Sequence, residues 1–302
     1  MSKLKLLLKL VITNLVVNSL KIVRFLPLAI THCIGFIVGL ISHVFNKNQR
    51  DHAVHNLKQS GLTQNEIDLK KLLFKSTIES SKGVFETFAI WFKPQPKVLT
   101  WVKYVEGWQH VESALAAGKG VIFLTPHLGC FEITSLYYGA HQPMAVLYRP
   151  PRQAWLLPLI MAGRERGKIT LAAANSAGVK LLLQALKRGE AIGILPDQAP
   201  LEGEGEWVPF FGKAAYTMTL ASKLAKKSGA QVLMAFGERL PYGGGYRIHI
   251  RPIPAGGIAT PALLNAEIER SIAQCPNQYL WSYDRYKVRH TSQQKLESTP
   301  PP

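Results

Sequence analysis

A histidine and a glutamate five residues apart carry the clearest chemistry in this sequence. They lie in the segment Thr125-Pro-His127-Leu-Gly-Cys-Phe-Glu132-Ile, which follows a short apolar run. On a continuous helix, residues five apart are rotated by about 140° and would not meet. We therefore expect His127 in the turn before a helix and Glu132 in the first turns of that helix. Glu132 would then hold the tautomer of the imidazole, and the other ring nitrogen would take a proton from a hydroxyl.

The same segment leaves other interpretations open. A histidine beside a turn often only caps a helix or makes a structural hydrogen bond. Zinc binding is disfavoured because the HExxH spacing is absent. Cys130 offers a thiol nucleophile, but its apolar neighbours Leu128 and Phe131 favour packing. Backbone amides exposed at the start of the helix could stabilise a developing oxyanion.

Strands and helices alternate around this segment, and the alternation indicates an α/β fold. Apolar runs predict buried strands over residues 121–125, 145–148, 191–195, 232–236 and 246–250. Helical spacing predicts helices over residues 65–92, 108–117, 130–138, 154–166, 178–187, 217–228 and 261–275. We expect a mixed, largely parallel sheet covered by helices. The histidine segment lies where a strand ends and a helix begins, which is where open α/β sheets bind ligands.

The composition combines an apolar chain with a strong positive charge. Of the 302 residues, 47% are hydrophobic and 18% are charged, and the net charge is +17. The charged fraction is below the roughly 25% of an average soluble domain, and the positive surplus points to an anionic partner. Seven basic residues precede Asp51, the first acidic residue. The remaining surplus is interspersed with acids, without the basic, aromatic-bearing stripe that a nucleic-acid binder should show, so no nucleic-acid partner is expected.

The basic residues at the N-terminus flank apolar segments that resemble a membrane anchor. No charged residue lies between Arg24 and Lys47, and a helix there would reach about 30 Å, the thickness of a hydrocarbon core. A proline and two histidines in this stretch weaken the case for a full span. The sequence predicts a second apolar helix over residues 4–23, with lysines placed to snorkel. We expect a retained anchor, single-pass or monotopic; a hydrophobic core helix is the alternative.

The predicted division of the chain is an anchor over residues 1–46, a catalytic domain over residues 47–290 and a disordered tail over residues 291–302. Gly35 and Gly39 form a GxxxG pair, a motif that can mark helix dimerisation. The three cysteines are scattered and lack CxxC spacing, so neither a disulfide framework nor a zinc site is implied.

Further sequence blocks follow the histidine segment in the order of a known family. They are Val146-Leu-Tyr-Arg149-Pro-Pro, Met161-Ala-Gly-Arg164-Glu-Arg166-Gly, Ile194-Leu-Pro-Asp197-Gln198, Val208-Pro-Phe-Phe-Gly212 and Gln278-Tyr-Leu-Trp281. With this ordered set, the chain resembles the bacterial lipid A biosynthesis acyltransferases, the late lauroyl/myristoyl acyltransferases of the glycerolipid (lysophospholipid) acyltransferase superfamily. The resemblance covers nearly everything from the anchor to about residue 287.

This resemblance implies an enzyme of the bacterial inner membrane with a cytoplasmic catalytic domain. It would move an acyl chain from acyl carrier protein to a hydroxyl of a lipid A precursor. His127 matches the family's catalytic base, Glu132 its acidic partner, and Arg164 an arginine that helps to organise the site. Transfer from a thioester to an alcohol needs a base and an oxyanion site but no covalent nucleophile, so no cofactor and no metal are expected.

Four more residues match blocks associated with substrate. Arg149 and Arg166 would bind the phosphorylated glycolipid acceptor, because the planar guanidinium donates two parallel hydrogen bonds to a phosphate. Asp197 and Gln198 match a block with a role in substrate positioning. Without the resemblance, the arginines also fit solvated surface charges and Asp197 also fits a turn residue.

One departure from the family leaves the acceptor open. Relatives that act on sugar-extended lipid A typically carry a histidine and paired arginines after the last block, whereas this chain reads Trp281-Ser-Tyr-Asp284-Arg285-Tyr-Lys287. An acyltransferase for another membrane lipid, such as a lysophospholipid or an aminolipid, is therefore one alternative. A non-catalytic protein that binds anionic lipid and a hydrolase that uses water at the same site are the others. The acyl chain length depends on the depth of a pocket and is not readable from a motif.

Overall fold

A seven-stranded mixed sheet with helices on both faces forms the framework of the computed structural model, which describes residues 21–151 and 153–287. The strands are β1 (Val102–Glu106), β2 (Val121–Leu124), β3 (Met144–Tyr148), β4 (Ile169–Ala173), β5 (Ala191–Ile194), β6 (Gly205–Phe210), β7 (Lys213–Met218), β8 (Gln231–Arg239) and β9 (Tyr246–Ile253). The helices are α1 (Leu28–Phe45), α2 (Lys47–Ser60), α3 (Glu66–Phe92), α4 (Gln95–Leu99), α5 (Trp108–Ala116), α6 (Phe131–His141), α7 (Leu157–Arg164), α8 (Ser176–Lys187), α9 (Leu220–Ser228) and α10 (Pro261–Gln274).

The main sheet has the strand order β1-β9-β8-β2-β5-β3-β4. The five strands from β8 to β4 run parallel to one another, β9 pairs antiparallel with β8, and β1 pairs parallel with β9. The strands β6 and β7 form a separate antiparallel hairpin. The predicted α/β class with a mixed, largely parallel sheet is therefore confirmed.

The central strand β2 shows why apolar runs predict the buried strands. Ile122 and Leu124 pack into one hydrophobic cluster, whereas Val121 and Phe123 pack into another on the opposite face of the sheet. Side chains alternate across a strand, so a strand covered on both faces needs an unbroken apolar run.

Strands without such a run are not predicted. The edge strand β1 exposes Lys103, Tyr104 and Glu106, and β4 and the hairpin β6–β7 are also missed. The predicted helix over residues 217–228 is wrong at its start, because Thr217 and Met218 complete β7 and α9 begins only at Leu220.

The helices α1 and α3 approach each other closely through two glycines. A Cβ atom at Gly35 would lie 2.6 Å from the Cα of Lys82, and one at Gly39 would lie 2.9 Å from the Cα of Ile78. The GxxxG pair therefore mediates packing within the chain, and the suggestion that it marks dimerisation is corrected. Glycine is needed here because a side chain would collide with the backbone of α3.

The opposite face of α1 is apolar and exposed. Ile30, Ile37, Ile41 and Val44 all lie on it. The length and composition of α1 would suit a membrane crossing, as they would also suit a core helix or a signal sequence. Residues 4–20 of the second predicted apolar helix and the predicted tail lie outside the described residues. The division into anchor, catalytic domain and tail stays a prediction.

Replacing Gly35 by alanine should weaken the contact between α1 and α3. The added methyl group must displace backbone atoms of Lys82, and overpacking of this kind costs about 1–3 kcal/mol. Chemical denaturation in detergent micelles should show a fall of that size in the free energy of unfolding. The control is Cys33→Ala at an exposed position of the same helix, which should change it by less than about 0.5 kcal/mol. Equal losses in the two variants would contradict the close approach.

Candidate active site

His127 lies in the turn between β2 and α6, at the carboxyl edge of the sheet. The strand ends at Leu124 and the helix begins at Phe131, so Glu132 lies in the first turn of α6. The predicted placement of both residues relative to strand and helix is therefore confirmed.

The backbone of this turn is bound on two sides. The amide of Gly129 donates to the carbonyl of Gln278 at 3.0 Å, and the amide of Cys130 donates to the carbonyl of Gly237 in β8 at 2.7 Å. The carbonyl of His127 accepts from the amide of Leu280 at 3.1 Å. Gly129 has a φ of +61°, and a Cβ atom there would lie 2.1 Å from the Gly237 carbonyl oxygen, so no other residue fits without displacing β8. Hydrogen bonds therefore hold the turn against β8 and against residues 278–280.

The carboxylate that pairs with His127 belongs to Asp197. Asp197 follows β5, the neighbour of β2, and is 1% exposed. Its Oδ1 lies 2.8 Å from Nδ1 of the imidazole, and its Oδ2 accepts from the backbone amide of His127 at 2.9 Å. Burial acts to raise the pKa of Asp197, but the charge and the hydrogen bonds of His127 outweigh it and lower that pKa below its ordinary value. Burial, together with the nearby carboxylate of Asp197, raises the pKa of the Tyr279 hydroxyl well above its ordinary value.

The ionised Asp197 fixes which nitrogen of His127 can act as a base. An anionic carboxylate accepts from Nδ1–H, which leaves the lone pair of the neutral imidazole on Nε2. The side-chain amide nitrogen of Gln198 lies 3.2 Å from Nε2 and is placed to donate to that lone pair. Asp197, His127 and Gln198 therefore form one hydrogen-bonded group.

The predicted pairing of His127 with Glu132 is wrong. Both carboxylate oxygens of Glu132 accept from Nε of Arg164 at 3.0 Å, and Nη2 of Arg164 also donates to Oε1. The guanidinium of Arg164 further lies 5.7 Å from the ring centre of Trp91. Local spacing suggested Glu132, but adjacent parallel strands end at the same edge of the sheet and bring Asp197 to the imidazole instead.

The two remaining arginines have different surroundings. Arg149 directly follows β3 at the carboxyl edge of the sheet, is partly exposed, and has a guanidinium nitrogen 3.7 Å from Glu204. Arg166 donates from both terminal nitrogens, at 2.7 Å each, to the carbonyls of Ile90 and Lys93 at the end of α3. Arg166 therefore binds the C-terminal carbonyls of a helix.

A buried ionic cluster beneath the site has no counterpart among the predicted residues. Glu86 of α3 is 1% exposed and accepts from Arg239, from Tyr246 and, at 3.0 Å, from Nε2 of His32 in α1. Burial acts to raise the pKa of Glu86, but Arg239 and His32 outweigh it and hold that pKa far below its ordinary value. A lone glutamate inside the apolar stretch of α3 was the available sequence signal.

This cluster is connected to the turn that carries His127 through one glutamine. The amide of Arg239 donates to Oε1 of Gln278 at 2.8 Å, and Nε2 of Gln278 donates to the Arg239 carbonyl at 2.9 Å. The carbonyl of the same glutamine accepts from Gly129, as described above. The position of the turn therefore depends on the ionic cluster.

An apolar groove of about 300 Å³ opens beside His127. One wall is a face of α3 that includes Gly83, Val84 and Phe88, and Phe131 lies on the other side. Arg239, Gln278 and Leu280 also line the groove. The groove can accept an apolar chain next to the imidazole.

The thiol alternative is not supported. Cys130 is buried, and desolvation with the nearby charge of Glu86 raises the pKa of its thiol well above the ordinary value. A thiolate is the nucleophilic form of cysteine, so this environment makes Cys130 inert. Among residues 21–151 and 153–287, no group of three or more histidine, cysteine, aspartate or glutamate side chains is placed to hold a metal ion.

An α/β fold that places a histidine–aspartate pair beside an apolar groove supplies the parts that general-base catalysis on an apolar substrate requires. The chain belongs to the bacterial lipid A biosynthesis acyltransferase family, whose sequence profile matches residues 1–288.

Similar proteins carry names that agree with the family. A lipid A biosynthesis lauroyltransferase of Escherichia coli K12 is 26% identical over 284 residues, which cover 92% of each chain. A lipid A biosynthesis palmitoleoyltransferase of the same organism is 27% identical over 276 residues, 90% of this chain and 89% of the relative. A lipid A biosynthesis acyltransferase of Haemophilus influenzae is 29% identical over 189 residues, 61% of this chain and 58% of the relative. The chain is therefore an O-acyltransferase whose family acts on a lipid acceptor.

Replacing Glu86 by glutamine should change the dependence of stability on pH. A carboxylate whose pKa is lowered on folding stabilises the protein above its unfolded pKa, and this contribution disappears as the pH falls toward the folded pKa. Below about pH 4.5 the wild-type free energy of unfolding should therefore decrease more steeply than that of Glu86→Gln, by up to about 1.4 kcal/mol per pH unit.

Urea denaturation between pH 3 and pH 7 measures both slopes. The control is Val111→Ala, a truncation at a fully buried position that lowers stability without removing a titratable group. Identical slopes in wild type and Glu86→Gln would contradict the low pKa of this carboxyl.

Proposed function

We propose that this acyltransferase transfers a fatty acyl chain from the thioester of acyl carrier protein to a hydroxyl of a lipid A precursor, with His127 as general base. The observation that carries the proposal is the His127–Asp197 pair, because it leaves the lone pair of the imidazole on Nε2 and His127 lines the apolar groove. The groove would hold the acyl chain and bring its carbonyl carbon next to the imidazole.

The steps follow from the protonation state of the pair. The acceptor hydroxyl replaces the Gln198 amide at Nε2 of His127 and gives up its proton there. Its oxygen bonds to the thioester carbon, and the tetrahedral oxyanion then expels the thiolate of the carrier. The thiolate takes the proton from the imidazolium, which Asp197 stabilises throughout. No covalent enzyme intermediate is needed.

The oxyanion would bind at the start of α6. Within the part of the chain that the structure describes, the amides of Gly129 and Cys130 donate to carbonyls, whereas those of Phe131 and Glu132 have no acceptor. The first amides of a helix also carry its positive partial charge. Phe131 and Glu132 are therefore the proposed donors.

The remaining predicted residues take supporting roles in this proposal. The Glu132–Arg164 pair would organise the site, since their charges balance each other in a buried position. Arg149 is the better of the two proposed phosphate ligands because it is partly exposed at the carboxyl edge of the sheet. Arg166 would have to release the end of α3 before it could bind a phosphate.

We further propose that the enzyme acts at the cytoplasmic face of the bacterial inner membrane. One face of α1 is occupied by α3, so its exposed apolar face would lie in the bilayer. The basic residues that flank α1 would lie near anionic lipid headgroups. Partial insertion fits the close contact of α1 with α3.

A lipid acceptor without inner-core sugar is a second candidate. Arg285 is 2% exposed and donates to the Tyr216 carbonyl and to Thr217, so it is unavailable to a substrate. Asp284 beside it adds a negative charge. Both features disfavour binding of additional anionic sugar at this segment.

The test incubates purified protein with acyl carrier protein thioester and a panel of acceptors. The panel contains phosphorylated lipid A precursors with and without inner-core sugar, and lysophospholipids. We expect His127→Ala and Asp197→Asn to lower kcat/KM by about 10²–10⁴-fold, because the first removes the base and the second its anionic partner. Mass spectrometry of the products identifies the acceptor, and His52→Ala, outside the site, is the control.

Each product pattern has one meaning. An acylated lipid A precursor supports the proposal, and an acylated lysophospholipid alone replaces its acceptor. Free fatty acid as the sole product indicates a hydrolase. Undiminished activity of His127→Ala, or no product from any mixture, would contradict the mechanism.

Charges on the exposed face of α1 should weaken membrane binding. If lipid buries Ile37 and Ile41, replacing each one removes apolar burial worth about 1.5–3 kcal/mol. This corresponds to a loss of roughly tenfold or more per residue in the affinity for membranes. Flotation with anionic vesicles should therefore recover little of the double variant Ile37→Glu, Ile41→Glu. Ile67→Glu, at a still more exposed position on α3, should bind like wild type. Unchanged flotation of the double variant would rule out this face as the membrane contact.

A further inference from the structure

Gly83 in the middle of α3 is a helical glycine that no packing contact explains. Among the described residues, six glycines lie inside α-helices. For five of them, a Cβ atom would come within 3.0 Å of a neighbouring element, namely Gly35, Gly39, Gly139, Gly163 and Gly178. For Gly83 the nearest atom is Nη2 of Arg239 at 3.6 Å, an ordinary van der Waals distance. A side chain would therefore fit at this position.

Leaving out that side chain has a cost. Glycine in a helix interior destabilises the helix relative to alanine, because it loses more backbone freedom on folding. Nothing in the packing of α3 compensates for this at Gly83, since its φ is helical and its surroundings are open. We therefore attribute the glycine at position 83 to the open space that it leaves beside α3.

The empty space belongs to the groove beside His127. The groove follows α3 from Glu79 to Phe88, a length of about 14 Å at 1.5 Å per residue. Glu79, Gly83 and Thr87 are spaced by four residues and lie on the same face. Gly83 is the central residue of this row, so a side chain there would narrow the groove near its middle.

The floor under Gly83 is compatible with a passing acyl chain. The guanidinium of Arg239 lies there, and hydrogen bonds from it to Glu79 and Glu86 balance its charge. A paired guanidinium presents a planar, weakly hydrated surface. An apolar chain can cross it without exposing an unpaired charge.

We propose that Gly83 determines which acyl chain lengths the enzyme accepts, by keeping the groove open over Arg239. The proposal rests on the proposed acyl transfer at His127, and it assigns chain-length selection to one residue of α3. Side chains of increasing size at position 83 then exclude progressively shorter acyl chains.

The test compares Gly83→Ala and Gly83→Leu with wild type, using acyl carrier protein thioesters from C8 to C16. Each methylene excluded from an apolar site lowers kcat/KM by roughly fourfold. We expect Gly83→Leu to shift the ratio of long-chain to short-chain kcat/KM by at least about tenfold toward short chains. Gly83→Ala should show a smaller shift in the same direction. An unchanged ratio, or an equal loss at every chain length, would overturn the proposal.

Two control measurements test whether a change in stability or added bulk elsewhere on α3 explains the shift in chain-length preference. The melting temperature of Gly83→Ala should equal that of wild type or exceed it by up to about 3 °C, because alanine favours the helix. Ile67→Phe adds about as much bulk as Gly83→Ala, at an exposed position of α3 away from the groove, and should leave the chain-length profile unchanged. A profile that shifts equally in Ile67→Phe would overturn the assignment to Gly83.

A binding experiment separates this proposal from the proposed reaction. Displacement of a fluorescent fatty acid by saturated fatty acids needs no catalysis. Wild-type affinity should rise with chain length, whereas the affinity of Gly83→Leu should stop rising at a shorter chain. Such a result supports Gly83 as the determinant even if no acyl acceptor reacts. The same dependence on chain length in both proteins would overturn it whether or not the enzyme transfers acyl groups.

Discussion

The buried carboxylate of Glu86 is the constraint on which the site depends. An unpaired charge at such a position would cost several kcal/mol, so its partners must be present together. Arg239 comes from β8, Tyr246 from β9 and His32 from α1, and all three bind Glu86. The cluster thereby fixes α1 and α3 against the sheet. Since Gln278 connects the backbone of Arg239 to the turn that carries His127, a polar group far from any predicted motif determines where the proposed base lies.

The site itself follows from the parallel arrangement of β2, β5 and β3. Their carboxyl ends meet at one edge, so residues that follow different strands come together there. His127 and Asp197 are 70 positions apart in sequence and make two hydrogen bonds. Glu132, although close in sequence, begins a helix and turns toward Arg164 on α7. The sheet thus separates two carboxylates with different tasks, one that binds the imidazole and one that balances a buried guanidinium.

The sequence predicts those features that depend on local pattern. The strands β2 and β5 are found because burial on both faces demands an unbroken apolar run. The edge strand β1 is missed because its exposed Lys103 and Tyr104 break that pattern. His127 is placed correctly because a turn between strand and helix has a local signature. The pairing of His127 with Asp197 is not predicted, because it depends on the order of the strands, which no local pattern encodes. The contact of the GxxxG pair with α3 and the contacts of Glu86 with its partners also join residues that are far apart in sequence, so no local pattern predicts them.

The helix α3 connects the features that the proposed reaction needs. Adjacent faces of it contact α1, through Ile78 and Lys82, and line the groove, through Gly83 and Val84. Val84 is exposed and lines the groove, on the same helix that contacts α1. If the outer face of α1 lies in lipid, a membrane-bound acceptor reaches His127 from the bilayer side without leaving the membrane. In the proposed reaction, the acyl carrier protein would bring its thioester from the aqueous side. Because the groove between α3 and the turn that carries His127 is open, both proposed substrates can reach the imidazole.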